Sequence, residues 1–501
     1  MKTPASHPIL SCDEARTIEQ SLFAGDEARE WPAMQRAGRA IAAAALRDFQ
    51  ELGGFPAAGR ILVLAGKGHN AGDALIAAHA ILEKFPAARA EVVFAFGSRA
   101  LRPLAARAWR DLVHFARDRV SAVSVARGEF ALCLDGIFGF QFRPPADERI
   151  TALIASVNAL SIHLRAAVDL PSAELFRADF TYATGCVKTP LLDSRQAGRV
   201  RYLDLGFFEG ERADPQALSR VLLPSVLAPL AALRPPHSDK RTFGHVFLVG
   251  GSRAYPGAIL MSTLAALRSG AGLVTACVPE SLVPGFAAHT PEAMWIGWPE
   301  TPSGSLALEG EHLLRARLDR ATALVLGPGL GREPETLALA RSIVATSSVP
   351  LVIDADALQP DIVDAGTASR VLTPHAGEWK RIGNANLSDT TVVLKGPVTR
   401  IESRAGLRPA PEGRSKTCPT YHSFFGGPVL ARGGSGDLLA GLMGGLLAQA
   451  PAEPLLAAAR GVVWHGLAAD HLARAHGQTS VSVTQLLDFL SPALNESAHA
   501  P

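Results

Sequence analysis

The stretch 432–441, RGGSGDLLAG, opens a segment of helical pattern that runs on through LMGGLLAQ. Glycines let successive backbone N–H groups turn toward one point, and a helix N-terminus adds partial positive charge there. Such a nest holds a phosphate, and holds it best as charge builds during phosphoryl transfer. Asp437 falls in the first turn. It is either a charge cap or the base that takes a proton from a hydroxyl attacking a phosphoryl group. Lys395 follows a strand-like run in VVLKG, and only 8 of the 49 basic residues are Lys. A lysine at a strand tip therefore invites nucleotide contact, with a snorkelling surface residue as the ordinary alternative. His375 in LTPHAGE can cap the next helix or donate to a substrate oxygen. Asp354 and Asp356 in IDADAL are paired carboxylates suited to Mg²⁺ or polar substrate contact, with capping the competing role for Asp356.

These residues need a scaffold that brings them together. Short aliphatic runs recur at 245–252, 273–278, 323–329, 350–356, 371–375 and 391–396, each ending in glycine or polar residues, with Ala/Leu-rich helical stretches such as 257–270 and 333–346 between them. That alternation predicts βαβ units and a buried parallel sheet, whose ligands bind beyond the carboxyl ends of the strands. The first half repeats the pattern: a helix at 36–50, a strand at 60–65, a loop GKGHNAGD at 66–73, a helix from about 73 to 84, and strands at 91–97, 131–135, 164–169, 179–185 and 199–205. It is again an open α/β sheet of Rossmann-like type, without the GxGxxG fingerprint of a tightly held NAD. The Pro-containing stretch 228–240 separates the halves, giving domains 1–228 and 229–501.

Composition bounds the rest. With 501 residues, two or three domains are expected. Hydrophobic residues at 48% exclude a disordered chain, and 49 basic against 47 acidic side chains argue against a nucleic-acid stripe or a polybasic membrane surface. The five cysteines show neither CxxC nor CxxH spacing. The N-terminus lacks a signal-peptide apolar run, and the apolar window 438–450 is shorter than a membrane span. A cytoplasmic enzyme is expected, with no nucleic-acid or membrane partner.

The tips 250–258 GGSRAYPGA, 327–331 GPGLG, 353–358 IDADAL, 373–378 TPHAGE, 392–396 VVLKG and 433–437 GGSGD stand in one order. That order resembles the ribokinase-like ADP/ATP-dependent NAD(P)H-hydrate dehydratases. In the first half, 66–73 GKGHNAGD, 135–139 DGIFG and 169–172 DLPS resemble the NAD(P)H-hydrate epimerase domain. Together they cover nearly the whole chain, as in the bifunctional NAD(P)H-hydrate repair family. The resemblance implies an N-terminal Rossmann-like open sheet and a C-terminal ribokinase-like α/β/α sheet. It also implies dehydration of S-NADHX or S-NADPHX at the expense of ADP or ATP with Mg²⁺, epimerisation of the R and S hydrates, and a homo-oligomer. Asp437 would be the catalytic base, with Gly434 and Gly436 holding the transferring phosphoryl group. Lys395, Gly396, Pro397, Val398 and Thr399 would line the nucleotide, and Ala258, Gly329 and His375 would meet the hydrate. In the first half, Asn70, Asp135 and Ser172 would bind potassium. Asp169 would act at the ring, and His69, Asn70, Ala71, Gly72, Asp73, Gly139 and Arg143 would complete the substrate site.

Several positions depart from that pattern. The family's NNGGD is HNAGD, its PSG is 171–173 PSA, and its glycine-rich GLRGE segment is 139–145 GFQFRPP. The loop before GGSGD is GPVLAR in place of NPGMAT, which brings Arg432 near the phosphate nest, either to assist transfer or as a solvated charge. Only Ala376 to Thr391 separate the TPH tip from the next strand, which is short for a full crossover. Two other readings fit the same residues: a ribokinase-like small-alcohol kinase, and a dehydratase carrying a decayed, non-catalytic N-terminal binding module.

Overall fold

The computed structural model describes residues 2–209, 217–383, 385, 387–403 and 418–498. The chain divides into two compact units, one built on His7–Ala217 and the other on Leu218–Leu472. The division lies at 217/218 rather than at the expected 228/229. The reason is a strand, Ser219–Leu222, that pairs in parallel with Thr420–Ser423 and so belongs to the C-terminal sheet. The Pro-containing stretch after it begins with a 3-10 turn, Pro224–Leu230, that buries Val226 and Leu227.

In the N-terminal unit, β1 (Ser6–Leu10) pairs with β8 (Val187–Lys188) through Ile9 and Leu10. The main sheet is formed by β2 (Arg60–Ala65), β3 (Arg89–Phe94), β4 (Val120–Ala122), β5 (Phe130–Gly136), β6 (Ile162–Val168), β7 (Phe180–Thr184) and β9 (Arg199–Leu203). Their order is β4-β3-β2-β5-β6-β7-β9, parallel throughout. Strands buried on both faces carry continuous apolar runs, and all seven residues of β5 are buried. The order reverses between β2 and β5, so a crevice opens at their carboxyl ends, where GKGHNAGD and DGIFG lie. The helix after β2 begins at His69, not near 73, so HNAGD forms its first turns instead of a loop.

The C-terminal unit continues with β10 (Ser219–Leu222), β11 (His245–Val249), β12 (Leu273–Pro279), β13 (Met294–Trp298), β14 (Ala323–Leu326), β15 (Leu351–Ile353), β16 (Arg370–Leu372), β17 (Thr390–Leu394), β18 (Thr399–Ser403) and β19 (Thr420–Ser423). Their order is β13-β12-β11-β14-β15-β16-β17-β18-β19-β10, with only β17–β18 and β18–β19 antiparallel. Here the order reverses between β11 and β14, placing GGSRAYPGA beside GPGLG. The short link to β17 still makes a parallel crossover, because a two-turn helix, Ala376–Ile382, suffices for neighbouring strands. The apolar window near 438–450 is the core helix Ser435–Gln449, buried from Leu438 to Ala448. No helix among the described residues is long and apolar enough to cross a membrane.

Candidate active sites

The helix Ser435–Gln449 fixes the glycine turn at its start by its packing against the helix Pro256–Arg268. A Cβ on Gly441 would stand 1.9 Å from the Ser262 carbonyl oxygen, so only glycine permits this approach. The Ser262 hydroxyl donates to the Asp437 carbonyl at 2.8 Å and ties the first turn down. Gly434 caps the helix with φ +94°, a left-handed conformation that leaves the following N–H groups free of a side-chain cap. Asp437 is half-buried beside this turn. Burial, with the Asp354, Asp356 and Glu378 carboxylates adding to it, raises its carboxyl to about 7 although Lys395 pulls the other way. A carboxylate tuned to neutral pH is suited to take up and release a proton.

Lys395 donates to Asp354 Oδ1 at 2.9 Å, and its Nζ lies 3.2 Å from the place of a Cβ on Gly436. Strand tip and helix start thus converge as the spacing predicts. Burial works against the ammonium, yet Asp354 outweighs it and holds the Lys395 pKa above its ordinary value. Asp356 accepts from Arg332 at 2.7 Å and from the Gly331 N–H at 3.2 Å. Both Asp carboxylates therefore already have cationic partners, Lys395 for Asp354 and Arg332 for Asp356. Among the described residues no group of three or more His, Cys, Asp or Glu could hold a metal ion. Gly396, Pro397 and Val398 form the turn of the β17–β18 hairpin, and Thr399 begins β18.

Ala258 lies in the first turn of its helix, and a Cβ on Gly329 (φ +65°) would stand 3.1 Å from the Ala258 Cβ. These two therefore line one spot at the strand-order reversal. His375 caps the helix Ala376–Ile382: its Nδ1 accepts the N–H groups of Gly377 at 3.0 Å and Glu378 at 3.4 Å. The proton of the neutral ring therefore sits on Nε2, on a side chain that is 61% exposed and 3.4 Å from Glu378 Oε1. The two roles foreseen for His375 are compatible, one on each nitrogen. Arg432 takes neither expected role, because it donates to the carbonyls of Gln478, Thr479 and Val481 at 2.6–2.8 Å. Sequence reasoning missed His465, which is buried; burial lowers it to about 4 and its Nε2 has no hydrogen-bond partner.

In the N-terminal unit Asp135 ends β5 and is fully buried. It accepts from the Ser172 hydroxyl at 2.7 Å, the Ser172 N–H at 2.8 Å and the Ile137 N–H at 3.3 Å. No ion pair reaches it among the described residues. Burial raises it to about 6 against those hydrogen bonds. Asn70 donates to the carbonyls of Val168 at 2.7 Å and Phe138 at 3.1 Å, and its Oδ1 faces Gly139, whose Cβ would stand 2.6 Å away. Asn70 in the first turn of the helix after β2, Asp135 near the end of β5, and Ser172 are thus tied to the same 135–139 loop. Asp169 is buried with φ +68°, takes a hydrogen bond from buried Lys188, and leaves its Oδ2 without a partner. Lys188 is a second strand-end lysine in a lysine-poor chain, and that rarity was the signal available for it.

The other expected epimerase residues divide. A cleft of about 190 Å³ is lined by Glu19, Glu30, Met34, His69, Asp73, Gln141 and Thr184, among others. His69 lies exposed, 3.4 Å from Glu30, and Asp73 is buried with Oδ1 unpartnered. Ala71 and Gly72 are core positions, and a Cβ on Gly72 would stand 2.5 Å from Met34 Sδ. Arg143 does not reach the cleft: it is exposed and donates to Asp13 at 2.9 Å and to the Phe140 and Phe142 carbonyls. Ala173, where the family has glycine, adopts φ +58°, a conformation that favours glycine. Ala71 replaces glycine inside a helix and carries no such strain.

Two family models match the chain. NAD(P)H-hydrate dehydratase covers residues 246–492, and YjeF-related protein N-terminus covers 32–189. The bifunctional NAD(P)H-hydrate repair enzyme Nnr of Gloeobacter violaceus is 34% identical over 97% of both chains. The chain belongs to the bifunctional NAD(P)H-hydrate repair enzymes. The Nnr of Moorella thermoacetica is 32% identical over 91% of each chain. Among solved structures, the ADP/ATP-dependent NAD(P)H-hydrate dehydratase of Bacillus subtilis, co-crystallised with ATP and Mg²⁺, is 26% identical with a TM-score of 0.43, covering 53% of this chain and 94% of that one. Within this repair family, Asp437 and Lys395 fall in the dehydratase match, and Asn70, Asp135, Asp169 and Lys188 in the N-terminal match. Glu19 lies upstream of both.

Proposed function

We propose that this chain repairs hydrated nicotinamide dinucleotides, its C-terminal unit dehydrating S-NADHX or S-NADPHX with ADP or ATP and its N-terminal unit interconverting the R and S hydrates. The observation that carries the reading is Asp437, a carboxyl near neutral pKa at the mouth of a glycine nest beside Lys395. Hydroxide is a poor leaving group at neutral pH. Phosphorylating the hydroxyl turns it into phosphate, which electrons from the ring nitrogen can expel. Asp437 takes the hydroxyl proton as the oxygen attacks phosphorus. The N–H groups at Gly434 and Gly436, with the Lys395 ammonium, receive the charge that builds on the phosphoryl oxygens. The hairpin residues Gly396 to Thr399 extend from Lys395 along the nucleotide, and Nε2–H of His375 donates to an oxygen of the hydrate.

Magnesium fits here as a companion of the nucleotide phosphates, since Asp354 and Asp356 are both engaged. In the N-terminal unit, a fully buried carboxylate without a cationic partner fits a potassium ion held by Asp135, Asn70 and Ser172. Such an ion would supply local positive charge and order the loop around Gly139. Asp169, with its free Oδ2, contacts the nicotinamide ring.

The test is incubation of the full chain with S-NADHX and ADP or ATP, following recovery of NADH absorbance. Recovery with either nucleotide supports the reading, and none from folded protein overturns it. A stable phosphorylated product would mark a small-alcohol kinase instead. For the N-terminal unit, Asn70→Ala slows R-hydrate consumption while S-hydrate consumption is unchanged. Equal R-hydrate rates would mark a non-catalytic module.

A further inference from the structure

The cleft of the N-terminal unit gathers more carboxyl groups than its expected residues account for. Glu19 lies on the helix Cys12–Phe23 and lines the cleft with Asp73 and His69 from one helix and Glu30 from another. Asp169 and its partner Lys188 lie near enough to act on the charge of Glu19. Asp73, one of the lining residues, is only 7% exposed, and its Oδ1 has no hydrogen-bond partner. Asp169 Oδ2 is likewise buried and unpartnered. An orphaned buried acceptor in the wall of the cleft, with a second at Asp169 close by, marks a site built for a polar ligand, because native structures rarely leave such groups unsatisfied.

The charges decide how these groups share the work. Lys188 neutralises Asp169, which leaves Glu19, Asp73 and Glu30 facing one another across the cleft. Arg16 on Glu19's own helix, His69, and Cys186 beside Lys188 complete the titratable groups around it. Burial, followed by Asp169 and Glu30, raises Glu19 to about 7 despite Lys188. Burial, followed by Asp169 and Glu19, pushes the Asp73 carboxyl well above the ordinary carboxylate range. Of the two, only Glu19 is partly open to solvent and can exchange its proton between turnovers.

We infer that Glu19 is a further catalytic residue of this unit, the group that gives a proton to the hydrate's departing hydroxyl and recovers one from solvent. The inference rests on the proposed epimerase activity. The Glu19 carboxylic acid protonates the hydroxyl, and the C–O bond breaks with its electron pair leaving as water. The ring-nitrogen lone pair forms a C=N⁺ bond at the same carbon, and the free Oδ2 of ionised Asp169 faces the cation. Water then adds to the opposite face and gives its surplus proton to solvent, and the Glu19 carboxylate is reprotonated from solvent before the next turnover. One water leaves, one enters, nothing is oxidised, and the configuration is inverted.

The experiment uses the full chain without nucleotide, so that the dehydratase is idle, and follows R-to-S conversion by chromatography above the spontaneous rate. Glu19→Gln lowers kcat roughly a hundredfold or more with little change in KM. The wild-type decline in kcat as pH rises through about 7 is lost in this variant. Glu19→Asp restores part of the rate and brings the decline back. Dehydration of S-NADHX with added nucleotide matches wild type in both variants and reports the fold. Wild-type kcat and pH profile in Glu19→Gln, or a change in KM alone, overturns the assignment. A wild-type chain that dehydrates the S form yet never interconverts the epimers overturns the epimerase reading itself, and Glu19's role with it.

Discussion

The Lys395 ammonium stands between a strand end and a helix start: it donates to Asp354 at 2.9 Å, and it lies 3.2 Å from the place of a Cβ on Gly436. Asp354 thus keeps the amine charged and aimed before any nucleotide arrives. Asp354→Asn removes the counter-charge and lets burial dominate, so the Lys395 pKa falls. The expected result is a nucleotide KM raised about tenfold and stability reduced by about 1–3 kcal/mol. Steady-state kinetics and thermal melting check the two effects, and an unchanged nucleotide KM would leave Asp354 without a positioning role.

Asp437 must be ionised to accept the hydroxyl proton. With its pKa raised to about 7, the dehydratase kcat falls as pH drops below that value. Asp437→Asn lowers kcat by about 10²–10⁴. Recovery of NADH absorbance across a pH series, with melting curves to verify folding, measures both.

Two alanines that replace family glycines are expected to respond with opposite sign. Ala173→Gly relieves a left-handed conformation costing about 1–2 kcal/mol, offset in part by added unfolded-state entropy, for a net gain of about 0.5–1 kcal/mol. Ala71→Gly lies in a buried helix turn and loses about 1 kcal/mol or more. Chemical denaturation of the two variants against wild type decides the matter.

Potassium binding is testable without turnover. Because the folded-state pKa of Asp135 is raised to about 6, the fold is favoured at low pH and loses stability as pH rises into the range where the carboxyl ionises. A bound cation offsets that loss. The melting temperature at pH 7–8 is therefore higher in potassium than in a bulky organic cation, by roughly 2–4 °C per kcal/mol gained. The difference shrinks below pH 6 and vanishes in Asp135→Asn.

Much of this was legible in the sequence because strand tips announce themselves. Glycine and Asp at the ends of aliphatic runs located Asp437, Lys395, Asp135 and Asp169, and their convergence follows from parallel topology. The short strands β10, β18 and β19 were harder. The first lies beside a Pro-containing stretch that mimics a linker, and the antiparallel hairpin lacks an intervening helix. Glu19 was silent for a different reason: one carboxylate on an amphipathic helix reads as solvated, and only the cleft shows what faces it. Arg143 and Arg432 show the converse error. A basic residue close in sequence to a phosphate motif satisfied carbonyls or a surface carboxylate instead.

The cap made by His375 has a consequence for selectivity. Two backbone N–H groups hold the lone pair of Nδ1, so the exposed nitrogen can offer a hydrogen but cannot receive one. A ligand atom docking there must carry a lone pair, as a carbonyl, hydroxyl or phosphate oxygen does. An amide N–H aimed at that nitrogen meets a second donor and forms no hydrogen bond with it. The backbone of a two-turn helix thereby sets which hydrogen-bonding polarity the imidazole presents outward.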